Sequence, residues 1–151
     1  MKTLSCCGSL VLLLWILMII CTPCKVIAQE FAVITHKNVE EPLEGDDIKH
    51  IFLGQKTRWN NDASIIFVLP ADRELCNAFF KTYLGKSYTQ YLNYWKKQVF
   101  TGKGRMPVFF HDEQELLMFV AQTQGAISFV SRQHADKAQV NIMTIIQEEG
   151  F

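Results

Sequence analysis

The sequence predicts an α/β fold: a mixed, largely parallel sheet flanked by helices. Three observations lead there. Short apolar runs of strand length alternate along the chain with segments of helical period. Helix-start and helix-stop residues punctuate them at the right places. The composition is also that of a packed domain, with 49% hydrophobic, 20% charged and 12% aromatic residues among 151. Fifteen basic residues balance fifteen acidic ones. That balance argues against a nucleic-acid partner, which draws on a basic excess.

The chain opens with Lys2 and an unbroken apolar run from Leu10 to Ile20, which Thr22, Pro23 and Lys25 end. Val26-Ile27-Ala28 then offers small or medium residues before Gln29. This is the grammar of a secretory signal, and the expected division is 1–28 signal peptide and 29–151 domain. The protein is therefore expected to be exported. The run falls short of the roughly 18 apolar residues of a membrane span. The alternative is an uncleaved N-terminal anchor. Removing residues 1–28 takes away Lys2 and Lys25 and leaves 13 basic against 15 acidic residues, a net charge of −2. Cys6, Cys7, Cys21 and Cys24 leave with it. Cys76 alone remains, so the domain is expected to rely on its core and not on an internal disulfide.

Phe31–Thr35 reads as the first strand. Asp46–Leu53 reads as a short helix with Ile48, Ile51 and Phe52 inward and Gly54 as its stop. Ile65–Leu69 is a buried strand ending at Pro70. Asp72–Leu84 is a helix whose Cys76, Phe79, Phe80 and Tyr83 share one face, closed by Gly85. Ser87 and Gln90 form a capping box for the next helix, with Tyr88, Tyr91, Leu92, Trp95 and Val99 inward. Gly102-Lys103-Gly104-Arg105 ends it, and Met106–Phe110 is a strand. Asp112 with Glu115 starts a helix that buries Leu116, Phe119 and Val120 and stops at Gly125. Ala126–Val130 is a strand, Arg132–Lys137 a polar loop and Val140–Ile146 a last strand.

Three segments carry a family resemblance. Ile51-Phe52-Leu53-Gly54-Gln55-Lys56-Thr57-Arg58-Trp59-Asn60 resembles the "IFxGKxxxW" element of phosphate-type periplasmic substrate-binding proteins. Asp72–Phe79 followed by Leu84-Gly85 is similar to the helix after that family's ligand strand. Gly125-Ala126-Ile127-Ser128-Phe129-Val130 is similar to the family's "GAIGYV" strand. The three occur in family order over about residues 31–131. The resemblance implies one lobe of a type II periplasmic-binding-protein fold, where the family uses two lobes to hold an oxyanion for an ABC transporter. The chain looks like the small exported single-lobe relatives of that family, and the resemblance implies a periplasmic location.

The family's phosphate binders carry Ser-Gly-Thr at the helix start. Here that triplet falls on Arg73-Glu74-Leu75, and no one-residue slip restores it. Asp72 and Glu74 put two carboxylates in the first turn, where they meet the positive helix end themselves and repel phosphate. The candidate ligand residues are Asp72, Arg73, Glu74 and Asn77, with Lys103 and Arg105 of the two-glycine turn as a second source of positive charge. The simpler reading makes Asp72 an N-cap and 102–105 a solvated turn.

Neither a metal nor a catalytic site is expected. His36, His50, His111 and His134 lack ligand spacing, and His111-Asp112-Glu113 reads as a helix start. Cys76 lies on an apolar face, and no cofactor or phosphate-loop motif occurs. Trp59 and Trp95 are core anchors or pocket walls. The resulting expectation is an exported, non-enzymatic solute-binding-like protein whose hold on phosphate or another small anion is weak or lost, with an ABC transporter as its partner. The alternative is an interaction or sensory accessory module serving another envelope protein. A single lobe could complete a cleft as a homodimer.

Overall fold

The computed structural model describes residues 31–135, 140–143 and 145–146. The expected signal segment lies outside them. The described strands are β1 (Phe31–Thr35), β2 (Leu43–Glu44), β3 (Ile66–Pro70), β4 (Val108–Phe110), β5 (Ala126–Ser131), β6 (Asn141–Met143) and β7 (Ile145–Ile146). The helices are α1 (Gly45–Phe52), α2 (Arg73–Phe79), α3 (Tyr88–Phe100), α4 (Glu113–Gln122) and α5 (Arg132–Ala135). The main sheet has the order β4-β3-β5-β1-β6. β3 pairs in parallel with β4 and β5, and β1 runs antiparallel to both β5 and β6. Four strands therefore share one direction and β1 opposes them. This is the mixed, largely parallel sheet expected from the alternating pattern.

The main core lies between one sheet face and helices α1, α2 and α3. Phe79 stacks on Phe129 with ring centroids 3.8 Å apart, and Phe52, Phe31 and Phe80 meet this pair edge-on. A smaller core on the other face joins Ile34, Val68 and Val130 to Leu116 and Val120 of α4. β5 is covered on both sides, so its residues from Ala126 to Val130 are all buried.

Several expected boundaries shift. The helix expected over Asp72–Leu84 is α-helical only to Phe79, and Phe80–Leu84 forms a wider π turn closed by Gly85 at φ +63°. The extra residue in that turn lets Phe80, Tyr83 and Leu84 all face inward. Val99 is 42% exposed and not inward. Trp95 seals the core against Gly54 and Gly104, and the last turn of α3 runs past it. Pro107, which has no N–H, delays β4 to Val108. The segment expected as one last strand serves two sheets: β6 pairs with β1, whereas β7 pairs with the unforeseen β2. The polar loop expected from Arg132 begins as the helical turn α5, held by buried Ala135. Residues 136 and 137 of that loop lie outside the described residues.

Candidate functional site

In open α/β sheets, ligands bind beyond the carboxyl ends of the parallel strands. Here β3 and β4 end side by side, with Pro70 opposite Phe110 and the Ala71 N–H bonded to the Phe110 carbonyl at 2.7 Å. Each strand leads within two residues into an aspartate-capped helix. Asp72 Oδ1 accepts the Glu74 and Leu75 N–H groups at 2.8 and 3.0 Å. Asp112 Oδ1 accepts the Gln114 N–H at 2.7 Å. These N–H groups are the donors that a helix start offers to an anion. At both positions a carboxylate of the chain already takes them.

The other expected residues near Asp72 also have structural partners. The Arg73 guanidinium lies over the Tyr88 ring, 5.4 Å from its centroid, a cation–π contact. Asn77 Oδ1 accepts the Tyr88 N–H at 3.0 Å and so helps to start α3. Glu74 is exposed in the first turn of α2. Asp72, Arg73, Glu74 and Asn77 are thus brought together where α2 and α3 begin. Lys103 and Arg105 are not. The Lys103 N–H bonds the Gln98 carbonyl, ten residues beyond Tyr88 on the same helix, and ten residues of helix span about 15 Å. Moreover, the 102–105 turn sits at the electronegative end of α3, where cations complement the dipole and an anion is disfavoured.

One cluster at this edge was not foreseen. At the end of β5, Ser131 Oγ donates to Glu113 Oε2 at 3.3 Å, and the Ser131 N–H reaches Glu113 Oε1 at 3.4 Å. His134 Nδ1 meets both Ser131 Oγ, at 2.7 Å, and Glu113 Oε2. A nucleophilic triad needs the hydroxyl and the carboxylate on different ring nitrogens. Here both contacts use Nδ1, so the geometry ties α4 to α5 and does not activate Ser131. Glu113 and His134 are 21 residues apart in a segment that reads locally as helix start and loop, and no local pattern links them.

At the opposite edge, a shallow cleft of about 210 Å³ is lined by Asn38, Val39, Glu40, Glu41, Trp59, Asn60 and Asn61. The carboxylate of Glu41 is answered within the chain. Lys56 Nζ donates to Glu41 and Asp47, each at 2.9 Å, and Glu41 Oε2 accepts the Asn60 N–H at 2.7 Å. Burial opposes ionisation of Asp47, but its hydrogen bonds with Lys56 and the Glu44 N–H outweigh this and hold its carboxyl below the usual range. Trp59 is buried and donates Nε1–H to the Gly125 carbonyl at 2.9 Å, so the first and third family-like segments are bonded to each other. Trp59 is thus a core anchor that also forms part of the cleft wall, and Trp95 is a core anchor.

Among the described residues, no group of three or more His, Cys, Asp or Glu is placed to hold a metal ion. Cys76 is fully buried, its thiol donates to the Pro70 carbonyl at 3.1 Å, and burial, helped by Asp72, pushes its pKa up to about 12. It is packed as a small hydrophobe and is not poised as a nucleophile. No described helix is long and apolar enough to cross a membrane.

Comparison with known proteins adds the family. Residues 23–148 match the family model described as the PBP superfamily domain. The fold is similar to that of an ABC-type phosphate transport receptor from Vibrio cholerae, at 16% identity and a TM-score of 0.57 over 81% of this chain. It is also similar to PstS from Borrelia burgdorferi, at 13% identity and a TM-score of 0.58 over 81% of this chain. The matches cover 47% and 48% of those two proteins, so this chain spans about half their length. No curated protein matches the sequence.

Proposed function

The chain belongs to the PBP superfamily, and from that premise we propose that it is an exported, non-enzymatic relative of phosphate transporter substrate-binding proteins in which small-anion binding is weak or lost. One observation carries this reading: the Asp72 carboxylate occupies the Glu74 and Leu75 N–H groups at the start of the helix that resembles the family's ligand helix. An incoming phosphate would have to displace a covalently attached anion and meet Glu74 beside it. Arg73 offers compensation, but it is exposed and engaged with Tyr88. Exposed ion pairs are worth about 0–1 kcal/mol each. Two or three of them fall short of the roughly 4 kcal/mol of a millimolar complex even before the cost of immobilising the ligand, so the dissociation constant is millimolar or weaker. A homodimer enclosing this edge is the arrangement that would strengthen it, because desolvation strengthens each contact.

Titration calorimetry with inorganic phosphate tests the reading. We expect no heat at micromolar protein and ligand. A tight titration lost in Arg73→Ala would overturn the proposal and favour delivery of phosphate to an ABC transporter. Export is tested separately by mass spectrometry: the mature protein should begin at Gln29, and intact Met1 in the membrane fraction would favour an anchor. The second reading, an interaction or sensory accessory of the envelope, draws support from Phe100, which is 93% exposed at the end of α3.

A further inference from the structure

The distribution of charge along the chain is uneven. From Leu75 to His111 there are six cations, Lys81, Lys86, Lys96, Lys97, Lys103 and Arg105, and no acidic residue. Four of the six gather at one place. Lys96 and Lys97 precede Phe100 by four and three residues, the spacing that makes helical residues neighbours on one face. Lys103 and Arg105 follow in the turn that folds back onto Trp95 through Gly104. All four are exposed, and no side-chain ion pair or hydrogen bond engages any of them among the described residues.

Among these cations stands an apolar group without a shelter. Phe100 is 93% exposed, and Val99 beside it in the chain and Met106 six residues on are each 42% exposed. Lysines at a helix C-terminus are accounted for by the dipole alone. A phenylalanine left almost wholly in water is not, nor is the lack of any acid from Leu75 to His111. The feature also has a shape. At 93% exposure Phe100 projects from the surface and no pocket walls surround it. A second copy of this chain is a poor occupant, because a two-fold contact here would set the four cations of each copy against those of the other. A fluid interface suits a projecting ring. The ring enters the boundary between headgroups and acyl chains, while the flanking lysines extend to the phosphates.

We propose that the C-terminal end of α3, with Phe100 as the inserted group and Lys96, Lys97, Lys103 and Arg105 as the cationic ring, is a docking surface for an anionic lipid bilayer. The surface lies at the opposite end of α3 from Asp72 and Arg73, so it does not depend on the anion reading above. Binding requires negative lipid, weakens with salt, and orients the candidate site at the other end of α3 away from the bilayer.

The test uses the full chain with vesicles of neutral phosphatidylcholine and of equal parts phosphatidylcholine and phosphatidylglycerol. Co-sedimentation should favour the anionic vesicles. Lys96→Gln with Lys97→Gln should lower the partition coefficient by about fivefold per lysine, roughly 25-fold together. Phe100→Ser should lower it by about tenfold or more, with unfolding midpoints unchanged because the residue is exposed. A Phe100→Trp variant gives a reading independent of any N-terminal attachment. Anionic vesicles should shift its emission to the blue, and brominated lipid should quench it, beyond the parent's response. Equal binding to neutral and anionic vesicles by parent and variants, with no added response in Phe100→Trp, would overturn the proposal. So would Phe100-dependent binding to polyglutamate without binding to vesicles, which would assign the surface to an acidic protein instead.

Discussion

Replacing Gly125 by alanine should destabilise the fold by about 2–5 kcal/mol, and the structure supplies each part of that figure. Gly125 has φ +76°, and an alanine held there costs about 1–2 kcal/mol. A Cβ at this position would lie 2.2 Å from the Ser64 carbonyl oxygen, a backbone atom that no side-chain rotation can clear. The chain must therefore shift where the Gly125 carbonyl accepts two hydrogen bonds, from the Ile66 N–H at 3.1 Å and from Trp59 Nε1 at 2.9 Å. Each such bond is worth about 0.5–1.5 kcal/mol net. Gly85→Ala is the control. Gly85 has φ +63°, but its Cβ would meet nothing within 4 Å, so its cost should stay at about 1–2 kcal/mol. Equilibrium urea unfolding, followed by Trp fluorescence and by circular dichroism, reads both variants against the parent at constant slope. If Gly125→Ala costs no more than Gly85→Ala, then Ser64, Trp59 and Gly125 are not packed as described.

Three further outcomes are expected of the same structure. Phe79→Ala should cost about 3–5 kcal/mol in denaturant unfolding, since Phe79 is fully buried and stacked on Phe129; a loss below about 1 kcal/mol would mean that the face of α2 is wrong. The Lys56–Asp47–Glu41 group should add a modest pH dependence of less than about 1 kcal/mol, given its partial exposure. With the Asp47 pKa lowered on folding, its share is present above the unfolded value and is lost as pH falls below about 4; with the Lys56 pKa raised, its share is lost as pH rises above about 10.5. Unfolding midpoints of Lys56→Met and the parent should therefore converge at both extremes. Finally, thiol labelling should detect one more reactive cysteine after unfolding than before, because Cys76 is sealed in the native state.

The features legible in the sequence are those that depend on neighbours along the chain. The inward faces of α1 and α2 come from periodicity, and Asp72 and Ser87 are recognisable as caps from the residues two or three positions later. The family-like segments were legible as marks of a fold. The structure adds that much of their specificity is architectural, with Gly54 making room for Trp95, and Trp59 pinned to a carbonyl 66 positions away. Long-range pairings left no local trace. The pairing of Leu43 with Ile145 and the meeting of Glu113 with Ser131 and His134 depend on where distant segments arrive. The expected anion residues divide for the same reason. Their chemistry is visible in sequence, but the length of α3 between Arg73 and Lys103 becomes a distance only in the fold.

The proposed function stands or falls on whether a carboxylate of the chain fills the helix start at which the family's phosphate binders offer free N–H groups. The amide nuclear magnetic resonance signals of Glu74 and Leu75 report on this during a phosphate titration at constant pH and ionic strength. Neither amide should shift saturably below millimolar phosphate, because Asp72 holds both. A saturable shift of the two amides at micromolar phosphate would contradict this reading, and would place phosphate where the structure places Asp72.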